Sequence, residues 1–378
     1  MNAEQIVELR NRLACSRRVV VKVGSQVLCR ADGSLDDAVL VQLCRDLARC
    51  LDAGCEVVLV SSGAVASGRS AAAEYPQANQ LGKQALAAIG QPLLMARYRQ
   101  LFGAHGRLVA QLLLTHADLA DRSRFLHARR VIAELMSGGV LAIVNENDTI
   151  AVEELRFGDN DALAAQVAHV VSADALLLLT EVDGLCTADP RLDPTAVRIQ
   201  AVALDDAAER YVSVASTSSL GTGGMGSKLA AARRAGSVGC VAAIAKGKLP
   251  GVIGLLLSGA DVGTIVEPAH KRLTGKRSWL ATSVRTRGCL HLDAGAVAAL
   301  TGAGRSLLPI GVTAITGEFS VGDAVQLLGP TGETIGKGLI RYDSADARRA
   351  QGKRSDWLAD HCPWLPAEIV HRDDLALK

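Results

Sequence analysis

The sequence has little net charge, no paired cysteine motif and no long apolar run. Its 41 basic residues nearly balance its 39 acidic residues. Residues 276–378 repeat this balance with 13 basic and 11 acidic residues, so the C-terminal part has no basic excess either. An even charge argues against nucleic acid or an anionic membrane as the main partner. The apolar runs are also too short to span a bilayer.

The cysteines exclude two further classes of protein. Their number, nine, is odd, and no Cys-x-x-Cys pair occurs. This usage indicates a reduced protein without a disulfide framework or a zinc site. Charged residues between Glu4 and Arg12 also interrupt the region in which a signal peptide has its apolar core. We therefore expect a cytoplasmic protein.

What the sequence does contain is a regular alternation of short apolar runs and longer segments with helical spacing. The predicted strands are Val19–Val23, Val57–Val60, Leu108–Leu114, Val140–Val144, Ala175–Leu179 and Val241–Ala245. The predicted helices are Asp36–Ala53, Ala78–Phe102, Arg122–Ser137 and Asp161–Val171. Such alternation predicts an α/β fold, a mainly parallel sheet sandwiched by helices. Its chemistry should lie at the carboxyl ends of the strands.

The pattern changes after Pro268, where closely spaced glycine turns separate short β-prone segments. This change predicts a smaller β-rich module at the C-terminal end. The predicted organisation is an N-terminal extension (1–17), a large α/β domain (18–266), a linker (267–276), the β-rich module (277–355) and a C-terminal tail (356–378).

Two strands end in turns of small residues. The first strand leads through Lys22 into Gly24 and Ser25, and the second leads into residues 61–64, Ser-Ser-Gly-Ala. Backbone N–H groups in such turns can bind an anion. Glycine and serine are also common in strand-to-helix turns that bind nothing. Each turn taken alone is therefore consistent with an anion site or with a purely structural turn.

Two polar clusters follow the fourth predicted strand. Residues 145–148 read Asn-Glu-Asn-Asp, and residues 158–161 read Gly-Asp-Asn-Asp at the start of a predicted helix. A helix N-cap would account for one aspartate of the second cluster. It does not account for both clusters. Carboxylates near a lysine suit a Mg²⁺–nucleotide site or recognition of an ammonium group.

A glycine-rich segment, residues 221–228, opens another predicted helix and ends in Lys228. Its spacing does not fit the Walker A motif, which excludes a P-loop of that class. Glycines, a helix N-terminus and a lysine can still bind phosphates, although a surface loop is the alternative. Residues 180–190 follow the fifth strand, where nucleotide contact and simple turn chemistry are both consistent with the sequence.

Taken together, these segments resemble the amino acid kinase superfamily, in the family's order and spacing over roughly residues 18–345. The most specific matches are residues 61–69, 145–148, 158–161, 187–191 and 221–228. The C-terminal module resembles a PUA domain. The matching residues there are Arg287-Gly288, Asp293, Gly295-Ala296, Ser306–Pro309, Gly311-Val312 and Gly317–Phe319.

The resemblance implies a role for individual residues. Lys22 and Lys228 would neutralise charge on the transferring phosphoryl group, and Asp161 would hold both lysines. The positions that match substrate-binding residues of the family are Ser62, Asp148 and Asn160. The positions that match its ATP-binding residues are Lys22, Thr180, Glu181, Thr222, Gly223, Gly224, Met225, Gly226, Ser227 and Lys228. No residue is assigned to a metal. Glu181 and Cys186 depart from the family, which usually has Asp and Tyr there.

The resemblance further implies ATP with Mg²⁺, and transfer of the γ-phosphoryl group to the side-chain carboxylate of L-glutamate, the first step of proline biosynthesis. It implies L-proline as a feedback inhibitor, a homo-oligomer, and hand-off of the product to glutamyl phosphate reductase. No membrane partner is expected.

Two alternatives remain at this stage. A kinase of the same superfamily that acts on aspartate, acetylglutamate or carbamate shares the general motifs, but the C-terminal PUA module favours the glutamate enzyme. An RNA-binding or RNA-modifying PUA protein would need basic surroundings, which the even charge disfavours. For the PUA module we favour a structural or regulatory role.

Overall fold

The computed structural model describes residues 1–78, 80–151, 159–188, 193–204, 224–269 and 275–377. The chain divides into two compact units. The first contains Met1–Leu119 and Ser123–Arg272, and the second contains Ala120–Arg122 and Leu273–Lys378. None of the helices in the described part of the chain combines the length and apolar character needed to cross a membrane.

The first unit is built on a twisted α/β sheet. Its described strands are β1 (Arg18–Val23), β2 (Glu56–Ser61), β3 (Val109–Leu114), β4 (Leu141–Glu146), β5 (Ala175–Thr180), β6 (Ala201–Val202), β7 (Val241–Lys246) and β8 (Thr264–Val266). They lie in the order β3-β4-β2-β1-β5-β7-β8-β6. Only β7 and β8 pair antiparallel among these strands. The six predicted strands and the mainly parallel sheet are therefore confirmed.

Helices cover the sheet. The helices described within residues 1–272 are α1 (Ala3–Ala14), α2 (Ser25–Leu28), α3 (Asp37–Asp52), α4 (Ala64–Ala72), α5 (Lys83–Gly103), α6 (His116–Ala120), α7 (Arg122–Ser137), α8 (Asp159–Val170), α9 (Met225–Gly236) and α10 (Val252–Leu257), with a 3₁₀ turn at Pro76–Ala78. The four predicted helices are present. The helix predicted from Ala78 begins at Lys83, because Ala78 belongs to the 3₁₀ turn and Gly82 caps α5.

Burial on both faces explains the continuous apolar runs of the central strands. Val19, Val21 and Val23 of β1 belong to the core cluster that includes residues of α1, α3, α5 and α10. Val20 is equally buried and points to the opposite face, where α8 contacts β1. A strand covered on both faces has no solvent-facing positions for polar residues, so its sequence is apolar throughout. Leu9 and Leu13 of α1 also join this core, so most of the predicted N-terminal extension packs on the first unit.

The second unit contains a five-stranded sheet. Its strands are β9 (Thr286–Leu292), β10 (Val312–Gly317), β11 (Ala324–Leu328), β12 (Thr334–Leu339) and β13 (Leu375–Leu377), in the order β10-β9-β11-β12-β13. Only β9 and β11 pair parallel within this sheet. The helices are α11 (Gly275–Thr282), α12 (Ala294–Thr301), α13 (Ser344–Ala350) and α14 (Ser355–His361), with 3₁₀ turns at Pro309–Gly311 and Arg372–Asp374. This arrangement confirms the predicted β-rich module.

The structure places residues 356–378, predicted as a separate tail, within the second unit. Leu358, Ile369 and Val370 belong to its hydrophobic core, and β13 pairs antiparallel with β12. The apolar residues of this segment are buried because they belong to the small core of the second unit. Their short spacing shows neither strand nor helix periodicity, so the sequence alone did not reveal this contribution.

Helices α4 and α5 cross at two glycines. A Cβ atom on Gly68 would lie 1.8 Å from the Leu86 carbonyl oxygen, and one on Gly90 would lie 1.8 Å from the Ala64 carbonyl oxygen. Both obstacles are backbone atoms, which cannot rotate away as a side chain can. The close crossing therefore fixes α4 and α5 against each other directly behind the turn that follows β2.

We predict that Gly90→Ala lowers the free energy of unfolding by about 3 kcal/mol, because the added methyl group forces the two helices apart. Gly103→Ala is the matched control, since Gly103 lies at the end of the same helix with no atom within 4 Å of the added Cβ. It should be neutral or slightly stabilising. Urea unfolding of both variants measures the difference, and equal stability of the two would refute the close crossing.

Candidate active site

Four neighbouring parallel strands, β4, β2, β1 and β5, end at the same edge of the sheet. A cavity of about 520 Å³ opens there. Its lining includes the following residues that the sequence predicted as functional: Lys22, Ser62, Asp148, Asn160, Asp161, Thr180, Glu181 and Lys228. Residues that are far apart in the chain thus meet at the place where the topology of a parallel sheet predicts a site.

An ion triplet lies at the base of this cavity. The Nζ atom of Lys22 lies 2.5 Å from Oδ1 of Asp161, and the Nζ atom of Lys228 lies 3.2 Å from Oδ2 of the same carboxylate. All three side chains are at least 94% buried. The hydroxyl of Ser227 also donates to Asp161 Oδ2, at 2.8 Å. The carboxylate therefore fixes two ammonium groups that come from β1 and α9.

Electrostatics within the triplet shift two pKa values. Burial by itself raises the pKa of Asp161, but the ammonium groups of Lys22 and Lys228 outweigh it, so the net shift is downward. Burial and the positive charge of Lys22 lower the pKa of Lys228, while Asp161 opposes that change. Asp161 is therefore a carboxylate at neutral pH. An additional negative charge nearby, such as a phosphate oxygen, would stabilise the charged form of Lys228.

Small residues allow the chain to turn closely around the triplet. Gly24 caps α2 directly after β1, and a Cβ atom there would lie 3.2 Å from Lys22 Nζ. Gly63 caps α4 with φ of 114°, a left-handed conformation that favours glycine. Gly224 caps α9, and its carbonyl oxygen lies 2.8 Å from the Ser227 hydroxyl. Three helix N-termini therefore begin near the strand ends.

Neutral polar side chains form the other part of the site. Nδ2 of Asn160 donates to the hydroxyl of Ser62 at 2.8 Å and to Oδ1 of Asn145 at 2.9 Å. Glu146 and Asp148, which follow in the same turn as Asn145, line the cavity. This part of the cavity offers a hydroxyl, an amide and carboxylates, a set that suits a small zwitterion.

The predicted nucleotide residues are described only in part. Thr180, at the end of β5, is buried, whereas Glu181 is exposed at the cavity wall. Gly224, Met225, Gly226 and Ser227 begin α9 beside Lys228. Thr222 and Gly223 lie outside the described residues, as do Gly158 and residues 189–191 of the motifs. The backbone of Cys186 forms an isolated antiparallel β-bridge with that of Arg198, and Cys186 does not line the cavity.

Several cavity residues were missed by the sequence reasoning. Arg30, Lys83 and Lys248 line the cavity and add positive charge to its wall. Lys248 comes two residues after β7, so the rule that sites follow parallel strands could have found it. Arg30 lies in a loop and Lys83 at the start of a helix, where the sequence carries no such signal. Arg69 also lines the cavity and belongs to the motif of residues 61–69, but the motif gave it no role.

The described residues contain no cluster of three or more His, Cys, Asp or Glu side chains that could hold a metal ion. The carboxylates of the cavity are instead spread along its wall or paired with lysines.

Comparison with known proteins agrees with the geometry. The sequence profile of the amino acid kinase family matches residues 17–246, and that of the PUA domain matches residues 288–361. Glutamate 5-kinase of Trichlorobacter lovleyi is 43% identical over 363 residues, which cover 96% of each chain. Glutamate 5-kinase of Thermus thermophilus is 46% identical over 366 residues, covering 96% of this chain and 98% of that protein.

A third relative, glutamate 5-kinase of Myxococcus xanthus, is 42% identical over 370 residues, covering 97% of this chain and 98% of that protein. The relatives thus match both units of the chain and the segment between them. Because the identity extends over almost the whole length, this chain belongs to the glutamate 5-kinase family, within the amino acid kinases, and carries a PUA domain.

Proposed function

We propose that this chain transfers the γ-phosphoryl group of ATP to the side-chain carboxylate of L-glutamate, giving L-glutamyl 5-phosphate for proline biosynthesis. The observation that carries the proposal is the buried Lys22–Asp161–Lys228 triplet between a polar cavity wall and the glycine-rich start of α9. Two oriented cations at this point suit a reaction in which negative charge is transferred between two anions.

The reaction needs no general base from the protein. A glutamate side chain has a pKa of about 4.3, so its carboxylate is ionised at neutral pH and can attack phosphorus directly. The difficulty lies in bringing two anions together and stabilising the charge between them. A site of lysines and backbone N–H groups, without a catalytic histidine or serine, provides this stabilisation.

The two lysines divide this task in the proposed mechanism. Lys22, at the end of β1, would contact the phosphoryl group as it passes from ATP to glutamate. Lys228, on the first turn of α9, lies next to the segment proposed to bind the ATP phosphates. Asp161 holds both ammonium groups in fixed positions, so little reorganisation is needed as charge develops.

The amino-acid end of glutamate would bind to the wall formed by Ser62, Asn160 and Asp148. We assign the substrate ammonium group to Asp148 and contacts to the carboxylate groups to Ser62 and Asn160. L-Proline carries the same charged pair on one carbon atom, so these groups would also bind it, which supports feedback inhibition by the pathway's end product.

Mg²⁺ is part of the proposal, and the donor set fits it. Mg²⁺ usually binds phosphates, waters and only one or two protein carboxylates. Glu181, which lines the cavity directly after β5, would be a carboxylate that holds such an ion together with ATP. The ion would neutralise phosphate charge.

Three further properties belong to the proposal. An acyl phosphate hydrolyses readily in water, which favours direct hand-off to glutamyl phosphate reductase. All nine cysteines are free thiols, which supports a reducing cytoplasmic location. We also propose a homo-oligomer, and a structural or regulatory role for the PUA domain, whose charge is nearly even.

We predict ATP-dependent formation of a γ-hydroxamate when the protein is supplied with L-glutamate and hydroxylamine. L-Aspartate, N-acetylglutamate and carbamate should give little product under the same conditions, because aspartate is one methylene group shorter, and the other two lack a free ammonium group that could pair with Asp148. The colorimetric ferric hydroxamate assay measures the acyl phosphates after hydroxylamine has converted them into hydroxamates. Phosphorylation of carbamate is followed as ADP release. Faster turnover with any of the three competitors would reject the assignment.

We predict that Lys228→Met lowers kcat by a factor of about 10² to 10³, because an oriented charged donor to the transition state is lost. The change keeps the length of the side chain, and Lys22 still pairs with Asp161. Lys353→Met is the matched control, since Lys353 lies in the second unit, outside the cavity lining. Retention of kcat in a folded Lys228 variant would remove Lys228 from the mechanism.

We predict that Asp148→Asn raises KM for L-glutamate at least tenfold and leaves KM for ATP within about twofold, since a lost ionic contact to the substrate costs on the order of 1.4 kcal/mol or more. Steady-state kinetics with each substrate varied in turn separates the two constants. A larger change in KM for ATP would place Asp148 in the part of the site that binds ATP.

A further inference from the structure

A polar side chain lies behind the candidate active site without lining its cavity. Gln91, on α5, is 8% exposed and is surrounded by the core of the first unit. A buried glutamine needs hydrogen-bond partners, because an unpaired amide in the core is costly. Its oxygen finds one in Asn145, a residue at the end of β4.

The contact begins a chain of buried hydrogen bonds that leads into the site. Nδ2 of Asn145 donates to Oε1 of Gln91 at 2.9 Å. Oδ1 of Asn145 accepts from Nδ2 of Asn160 and from the backbone N–H of Glu146, both at 2.9 Å. The same backbone N–H also lies 3.2 Å from Oδ1 of Asn160. The side-chain amides of Asn160, Asn145 and Gln91 thus form a chain in which each NH₂ group donates to the oxygen of the next amide.

The direction matters because the two ends of an asparagine amide have almost the same shape and opposite hydrogen-bonding character. If Asn145 rotated by half a turn, its NH₂ group would face the NH₂ group of Asn160 and the N–H of Glu146. Its oxygen would then face the oxygen of Gln91. The acceptor on Gln91 therefore helps to keep Asn145, and through it Asn160, in the orientation seen here.

The end of this chain is the hydroxyl of Ser62, which accepts from Nδ2 of Asn160 at 2.8 Å. A hydroxyl that accepts from a neighbour has its own hydrogen available to donate elsewhere, and Ser62 lines the cavity. The amide chain thus makes Ser62 a donor toward the cavity, which is the character that a carboxylate ligand requires.

Helix α5 is itself held firmly at this point. Gly90, the preceding residue, packs against the backbone of Ala64 at the start of α4. Tyr98, on the same face of α5, shares a buried hydrogen bond of 2.7 Å with Ser61 at the end of β2. Helix α5 therefore contacts the ends of β2 and β4, next to the residues proposed to bind L-glutamate.

We propose that Gln91 is a positioning residue for the part of the site that binds L-glutamate, the acceptor half. Its side-chain oxygen fixes the Asn145–Asn160 amide chain and thereby directs the Ser62 hydroxyl toward the substrate. This inference rests on the proposed function, because it names L-glutamate as the ligand. Gln91 does not touch the substrate. Its loss should weaken binding of L-glutamate and leave the nucleotide half unaffected.

The test compares Gln91→Met with Gln91→Glu in the full-length protein. Methionine fills a similar volume without the oxygen acceptor, and glutamate keeps an oxygen in the same place. Gln91→Met should raise KM for L-glutamate about tenfold, the effect of one lost buried hydrogen bond, with KM for ATP within about twofold. Gln91→Glu should restore most of the affinity. Phe102→Leu, a change at a buried position further along α5, should affect stability alone.

A double-mutant cycle with Ser62→Ala tests whether the effect passes through the hydroxyl. If it does, Gln91→Met adds little to the rise in KM that Ser62→Ala already causes. Additive effects of the two changes would overturn the proposal. So would an unchanged KM in Gln91→Met, or equal changes in the constants for both substrates. If Gln91→Met does not fold, Gln91→Asn, which withdraws the acceptor by one methylene group, is measured against the same criteria.

The outcome for the wild-type protein separates this inference from the proposed function. If the wild type forms no hydroxamate from L-glutamate, the proposed function fails and the role of Gln91 fails with it. If the wild type is active and Gln91→Met retains its KM for L-glutamate, only the positioning role fails.

Discussion

The ion triplet of Asp161 with Lys22 and Lys228 is the interaction on which the rest of the site depends. Two ammonium groups that are almost fully buried repel each other and lose their hydration, and the carboxylate that lies between them opposes both effects. To bring the three together, the fold must join the end of β1 with the first turns of α8 and α9. The parallel sheet and the helices that cover it fix this meeting point.

In the proposed site, the buried triplet faces the transferring phosphoryl group (the transfer half), and Ser62, Asn160 and Asp148 face glutamate (the acceptor half). The transfer half uses buried ions, which are suited to stabilising charge that develops during reaction. The acceptor half uses a chain of amides that begins at Gln91 and ends at Ser62, and such a chain sets the direction of a donor without adding charge. The separation allows a small zwitterion and a polyanion to bind side by side without competing for the same side chains.

The sequence was sufficient for the parts of the structure that follow from local patterns. Apolar runs identified the six main strands, and the motifs around Lys22, Asp161 and Lys228 identified residues that the fold brings within hydrogen-bonding distance. It could not identify Gln91, because a single amide in a helix that is otherwise apolar on that face has no periodic signal. Nor could it place residues 356–378, whose contribution to the second core depends on contacts between distant segments.

In the proposed reaction the carboxylate of L-glutamate itself attacks the γ-phosphorus of ATP. L-Glutamate that carries ¹⁸O in its side-chain carboxylate tests this step, with hydroxylamine present to trap the acyl phosphate. Hydroxylamine attacks the carbonyl carbon and releases phosphate together with the bridging oxygen. We expect mass spectrometry to find one ¹⁸O atom in the released phosphate; phosphate without the label would show that water hydrolyses ATP and that the carboxylate is not the nucleophile.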